Sequence, residues 1–253
     1  MRKNIVAGNW KMNKSFAEAE LLMVQLQNYL KNTKVNCEVY IAPPSVYLTA
    51  SNTIFKDNEV KTFAQDVSEH KSGAYTGETS VEMLSSIEIA GSLVAHSERR
   101  QYHNDTDESA AVKVKALLDA GLTPIYCNGE TLEQRKSGQH FDVVKTQTET
   151  ALFGLSADEI KKVVIAYEPV WAIGTGETAT PEQAQEIHAH IRSLIAQKYG
   201  DDVANEISIL YGGSVKPDNA KEIFSQKDID GGFIGGAALK IEDFSKIIEG
   251  FNA

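Results

Sequence analysis

Eight short apolar runs recur along the chain, separated by stretches whose apolar residues return every three or four positions. The runs are Ile5 to Gly8, Cys37 to Ala42, Val60 to Ala64, Leu93 to Ala95, Pro124 to Cys127, Val163 to Tyr167, Ile207 to Tyr211 and Gly232 to Ile234. Most are nearly continuous rather than alternating, the pattern of parallel strands covered from outside by helices. Helical periodicity fills the intervals. Ser15 and Glu18 form a capping box ahead of Phe16, Ala19, Met23, Leu26 and Leu30. Val112, Ala116 and Leu117 mark a second helix that stops at Gly121. Thr180, Pro181 and Gln183 open a third, whose face is Ile187, Ile191, Leu194 and Ile195 and which ends near Lys198 and Gly200. Eight strand–helix alternations without a break in composition predict the α/β class. They imply a single closed (β/α)8 barrel domain over residues 1–253, with eight parallel strands surrounded by helices.

The polar residues fall at one end of this pattern. Asn9 and Lys11 follow the first strand, His96 the fourth, Glu168 the sixth, Gly212-Gly213-Ser214 the seventh and Gly235-Gly236 the eighth. In a (β/α)8 barrel all of these points converge on the C-terminal face, where active sites are built. Pro169 biases Glu168 toward extended backbone and holds its carboxylate at the strand tip. A short apolar segment with two glycines then leads to the rigid helix at Pro181, so the stretch reads as a lid with a base at its hinge. The glycines after strands seven and eight suit a phosphate cradle of bare backbone N–H groups. Either pair alone equally suits a tight turn, and the two together on adjacent strands favour phosphate. Likewise, Lys11 alone reads as a surface lysine and His96 alone as a hydrogen-bonded core histidine. The residue types by themselves leave those readings open.

Composition narrows the class. Hydrophobic residues make up 42% of 253, enough for a large core, and the formal net charge of −10 argues against a nucleic-acid partner. An anionic ligand would then need a local positive field, although screening over about 8 Å makes global charge a weak objection. Met1-Arg2-Lys3 leads directly into a strand, and no apolar run is long enough to cross a membrane. Cys37 and Cys127 have neither disulfide-framework nor zinc spacing, so the expectation is a reduced, cytoplasmic protein. His188 and His190, two apart on a helix, do not face one way, and His70, His103 and His140 lack ligand-spaced company. Cys127 reads as a buried, inert thiol below the site.

Four segments carry a resemblance. Tyr167-Glu168-Pro169-Val170-Trp171-Ala172-Ile173-Gly174-Thr175-Gly176, Asn9-Trp10-Lys11-Met12-Asn13, Ala95-His96-Ser97-Glu98-Arg99-Arg100 and Tyr211-Gly212-Gly213-Ser214-Val215 are similar, in the expected order, to the signatures of the triosephosphate isomerase family. The similarity runs from Asn4 to Lys240. It implies the TIM barrel fold and a metal-free, cofactor-free interconversion of dihydroxyacetone phosphate and glyceraldehyde 3-phosphate. It implies Glu168 as the base, His96 as the electrophile and Lys11 as the balancing charge. Asn9, Lys11, Gly174, Ser214, Gly235 and Gly236 would bind substrate, with Ser97 and Glu98 behind them, Glu98 as a partner of Lys11. The long irregular segment from Asp66 to Thr79 would project into a second subunit, with Thr76 at its tip, making a homodimer.

Two departures from the family pattern stand out. Glu177 replaces the usual lysine at the far hinge of the lid, and Asn128 stands where a small apolar residue is common. Competing readings are a metal-dependent sugar-phosphate epimerase, whose His and Asp strand-end ligands are missing, and a catalytically silent binding barrel, which would need neither His96 nor Glu168.

Overall fold

The computed structural model describes residues 1–56, 60–173 and 178–252. Its strands are β1 (Ile5–Asn9), β2 (Glu38–Ala42), β3 (Lys61–Ala64), β4 (Gly91–Val94), β5 (Thr123–Asn128), β6 (Val164–Tyr167), β7 (Ile209–Tyr211) and β8 (Gly231–Ile234). Each pairs in parallel with the next, and β8 closes onto β1, giving the barrel order β1 to β8. All eight apolar runs therefore became strands, displaced by no more than two residues.

Alternation explains why the strands read as continuously apolar. Ile5, Ala7, Tyr40, Ala42, Phe63, Leu93, Ile125, Cys127, Val164, Ala166, Leu210 and Phe233 form one buried cluster that fills the barrel. Their neighbours, such as Val6, Val39, Ile41, Val94, Tyr126, Ile165 and Ile209, pack outward against the helices. Side chains with a period of two are thus buried on both faces. Inside the barrel, Tyr40 and Phe63 stack with ring centroids 4.8 Å apart.

The capping signals also hold. Ser15 and Glu18 start the Phe16–Asn32 helix, and Thr180 with Gln183 starts Pro181–Tyr199 with Pro181 in its first turn. Two details differ. Phe16 and Val112, expected on buried faces, are 52% and 47% exposed. The Phe16–Asn32 helix instead buries Ala19, Leu22, Met23 and Leu26, and Asp107–Asp119 buries Ala110, Lys113, Val114, Leu117 and Leu118. Lys113 reaches the interior because Asp66 and Asp105 take its ammonium at 2.9 and 3.1 Å. No helix among the described residues is long and apolar enough to cross a membrane.

Candidate active site

The strand ends determine where the chemistry sits. After β4, Ala95 takes a left-handed conformation (φ 56°), which turns the chain abruptly and sets His96 as the N-cap of the Ser97–His103 helix. That conformation costs a non-glycine residue about 1–2 kcal/mol. The Arg100 guanidinium, donating Nε–H to the Ala95 carbonyl at 2.9 Å, helps hold the turn. His96 Nδ1 accepts the backbone N–H of Glu98 at 3.2 Å. Its other nitrogen, Nε2, lies 2.9 Å from Oε1 of Glu168. Glu168 also accepts the Ser97 N–H on Oε2 at 2.9 Å and the Ser97 hydroxyl on Oε1 at 3.3 Å. Base and imidazole are both buried, with side chains 3% and 6% exposed.

Protonation follows from these contacts. Burial alone would raise the Glu168 carboxyl, but the His96 proton, the Ser97 N–H and the Lys11 charge outweigh it and hold the group below its ordinary range. For His96, burial opposes an imidazolium while the Glu168 and Glu98 carboxylates favour one and push the group upward. The Glu98 N–H acts against that charge: protonating Nδ1 would set two N–H hydrogens face to face. The helix N-terminus adds its own positive end beside the ring. We therefore take the ring as neutral, with its proton on Nε2.

Glycine at 212 is required by its closeness to Glu168. A Cβ there would approach the Glu168 Cγ and the Tyr167 carbonyl oxygen to 2.9 Å, and the Gly212 N–H is already spent on that carbonyl at 2.7 Å. Of the two readings weighed for this glycine, a bare N–H and a tight turn, the structure shows a bonded N–H and close packing on Glu168.

Lys11 also sits at positive φ, 51°, immediately beyond β1. Asn9 holds this turn by accepting the Lys11 N–H on Oδ1 at 2.9 Å, and Gln65 holds it by donating to the Lys11 carbonyl at 2.8 Å. The Lys11 ammonium bonds Oε1 of Glu98 at 2.7 Å. Glu98 thus faces both Lys11 and His96 across the same turn.

Asn9, Lys11, His96, Glu168, Ser214, Gly235 and Gly236 line one cleft of about 780 Å³. Ser97 and Glu98 lie behind it and touch its lining groups. Three lysines (Lys11, Lys216, Lys240) and three acids (Glu168, Asp218, Asp243) line the cleft among the described residues, so side-chain charge leaves no excess. Positive field must come from backbone. The turn Gly236–Leu239 supplies it: its first bond is Ala238 N–H to the Gly235 carbonyl, leaving the N–H groups of Gly236 and Ala237 without a partner inside the turn. Ser214 donates its hydroxyl to the Ala172 carbonyl at 2.9 Å, tying the β7 loop to the segment after Glu168. Gly174 and Glu177 lie outside the described residues.

Sequence reasoning missed several participants. Gln65 and Phe233 carry no local pattern that marks them, and Glu130 only a faint one. Glu130 is fully buried, taking hydrogen bonds from the Tyr167 hydroxyl at 2.9 Å and the Trp171 indole at 2.9 Å, with Arg135 at 3.2 Å. A Gly-Glu pair just past a strand end was its only signal. Phe233 sets its ring edge-on to His96, centroids 5.9 Å apart. Cys127 is buried and its thiol is pushed up by that burial. Among the described residues no group of three or more His, Cys, Asp or Glu is gathered as a metal site.

A buried carboxylate, an imidazole and an ammonium thus meet at the C-terminal rim of a (β/α)8 barrel. The family model described as triosephosphate isomerase matches residues 4–251. A triosephosphate isomerase of Phocaeicola vulgatus is 52% identical over 251 residues, 99% of this chain and all of that protein. Those of Porphyromonas gingivalis (51% over 251 residues; 99% and 100%) and Flavobacterium johnsoniae (50% over 248 residues; 98% and 99%) are similar to the same degree. With agreement from β1 to the last helix, the chain belongs to the triosephosphate isomerase family.

Proposed function

We propose that the chain interconverts dihydroxyacetone phosphate and D-glyceraldehyde 3-phosphate, the aldose–ketose isomerisation of glycolysis and gluconeogenesis, through an enediolate. The observation that carries the reading is the contact of a buried carboxylate with a neutral imidazole, Glu168 and His96, 2.9 Å apart at the ends of β6 and β4. A carboxylate removes a proton beside a carbonyl only where charge growing on the oxygen meets a donor. His96 Nε2–H is that donor and Lys11 the fixed positive charge.

In the structure the two groups satisfy each other. A substrate carbonyl takes the place of Glu168 as acceptor from His96. The carboxylate, turning to the carbon, then gives up the His96 and Ser97 contacts that depress its pKa and becomes a stronger base. The hydroxyl proton passes from one enediolate oxygen to the other beside His96 Nε2, and the protonated Glu168 returns its proton to the neighbouring carbon, so atoms and electrons balance without a redox cofactor or metal. Asn9 and Lys11 bind the substrate oxygens, and Ser214, Gly235 and Gly236, joined by Gly174, bind its phosphate. Excluding water matters because an exposed enediolate phosphate can eliminate its phosphate.

We also read the chain as a single-domain cytoplasmic enzyme and a homodimer through the 66–79 loop. Residues 69–78 of that loop are exposed, its ends closed by Ser68 N–H to the Thr79 carbonyl at 2.8 Å. Met12, Val46, Tyr75 and Tyr102 are exposed apolar or aromatic side chains on the segments following β1 to β4, neighbours around the barrel. Such an apolar sector supports an interface. A coupled assay on glyceraldehyde 3-phosphate, with the oligomer measured by light scattering, tests both: turnover and a dimer are expected, and an inactive chain would overturn the enzymatic reading.

A further inference from the structure

The backbone of the base is fastened to the end of β5. Glu168 N–H donates to the Asn128 carbonyl at 2.7 Å. Gly129, next along, lies so close to Glu168 that a Cβ on it would come within 1.8 Å of the Glu168 carbonyl oxygen. Its φ of 155° belongs to glycine as well. With a hydrogen bond on one side and bare van der Waals contact on the other, the Asn128–Gly129 peptide cannot shift without shifting Glu168.

This peptide is gripped from outside the barrel by one side chain. Gln147, on the His140–Leu152 helix, accepts the Gly129 N–H on Oε1 at 2.8 Å and donates Nε2–H to the Gly129 carbonyl at 3.1 Å. The amide thus pairs with both polar groups of one residue, as a neighbouring strand would. The backbone of the same residue is anchored in turn, since the Gln147 carbonyl accepts the Tyr126 hydroxyl at 2.7 Å. No bond made by Gln147 reaches the cleft.

From this geometry we infer that Gln147 is a positioning residue for the base: its paired hydrogen bonds fix Gly129 from both sides, and through the adjoining Asn128 carbonyl the reach of the Glu168 carboxylate. The inference rests on Glu168 being the base. A displacement of about 1 Å from near-attack geometry costs about 10²-fold in rate, so a helix-mounted clamp on the supporting peptide has ample leverage. It does not touch the phosphate cradle of Gly235 and Gly236, which stands on β8.

The test replaces Gln147 with methionine, which keeps length and volume and removes both hydrogen bonds. In Gln147→Met, kcat on glyceraldehyde 3-phosphate should fall about 10- to 100-fold. KM and competitive inhibition by inorganic phosphate should stay within about twofold, with the far-UV circular dichroism unchanged. Gln147→Glu, which keeps the acceptor for the Gly129 N–H and drops the donor to its carbonyl, should lose less, and it supplies the answer if the methionine variant does not fold. A kcat within about twofold of wild type in the folded variant, with only Tm lowered, would make Gln147 a structural brace and overturn the inference. Glu168→Gln run in parallel separates the two levels. Should it turn over normally, the base assignment and this inference both fall. Should it be dead while Gln147→Met is normal, the positioning role alone falls.

Discussion

The backbone N–H of Glu98 points at Nδ1 of His96 from 3.2 Å, so the imidazole is held with a lone pair on that nitrogen and its proton on Nε2, toward Glu168. A neutral electrophile gives a hydrogen bond to developing oxyanion charge without first having to be charged in a buried site. Nitrogen NMR of the ring reads this state directly. At neutral pH His96 should show one protonated nitrogen, Nε2. A ring protonated on both nitrogens at neutral pH would show that Glu168 and Glu98 dominate over the helix N-terminus.

Asn128 stabilises less than an apolar residue would. Its Nδ2–H reaches Thr148 Oγ1 at 3.0 Å, but Oδ1 is buried with no hydrogen-bond partner among the described residues. Thr148 keeps its own bond to the Val144 carbonyl, at 2.7 Å, whatever stands opposite. Removing an unsatisfied buried carbonyl is worth about 1 kcal/mol. Asn128→Val should therefore be neutral to about 1 kcal/mol more stable in urea titration, with the Glu168 backbone bond retained. A loss beyond about 1 kcal/mol would mean that Oδ1 is satisfied in solution by a bound water.

His188 makes stability fall early with acid. Both its nitrogens are buried without a hydrogen-bond partner among the described residues, between the rings of Tyr167 and Tyr211. Burial and the nearby Arg192 charge push it down from 6.5 to about 3, with Asp228 opposing weakly. The folded ring stays neutral while the unfolded one charges below 6.5, so its contribution is complete above that pH and is lost as pH falls toward 3. The slope is about 1.4 kcal/mol per pH unit. Between about pH 6.5 and 5 the wild type should lose about 2 kcal/mol more than His188→Phe. Equal losses in the two proteins would contradict a neutral, buried His188.

Chelation should leave the reaction untouched. The proposed chemistry uses a carboxylate, an imidazole and an ammonium, and Glu168 carries the only proton that moves between carbons. Prolonged EDTA treatment should leave kcat and KM unchanged. Activity lost to EDTA and restored by a divalent ion would instead favour an epimerase-like mechanism.

How much of this was legible in the sequence follows from what each residue does locally. Strands such as Ile5–Asn9 and Val164–Tyr167 were readable because parallel strands bury both faces and leave a continuous apolar trace. Ser15 and Thr180 were readable because capping is a contact within four residues. Phe16 and Val112 misled because apolar spacing does not reveal which side of a helix meets the barrel. Gln147 and Gln65 were invisible for a different reason: each acts by bonding backbone 18 or 54 residues away, and a glutamine on a helix or after a strand looks like any other. Gly212 was seen but its role stayed open, since spacing could not tell a free N–H from one bonded to Tyr167.

The most direct measurement is steady-state kinetics of Glu168→Asp in both directions, with binding of a non-reactive phosphate analogue followed separately. The substitution keeps the charge and withdraws the carboxylate by about 1 Å, enough to cost about 10²-fold once the reacting atoms leave near-attack distance. The phosphate cradle at Ser214, Gly235 and Gly236 and the charge of Lys11 remain in place. With Glu168 as the base, kcat falls about 10²-fold while KM and analogue binding stay near wild type. A near-normal kcat in the aspartate variant would contradict the assignment of Glu168 as the base.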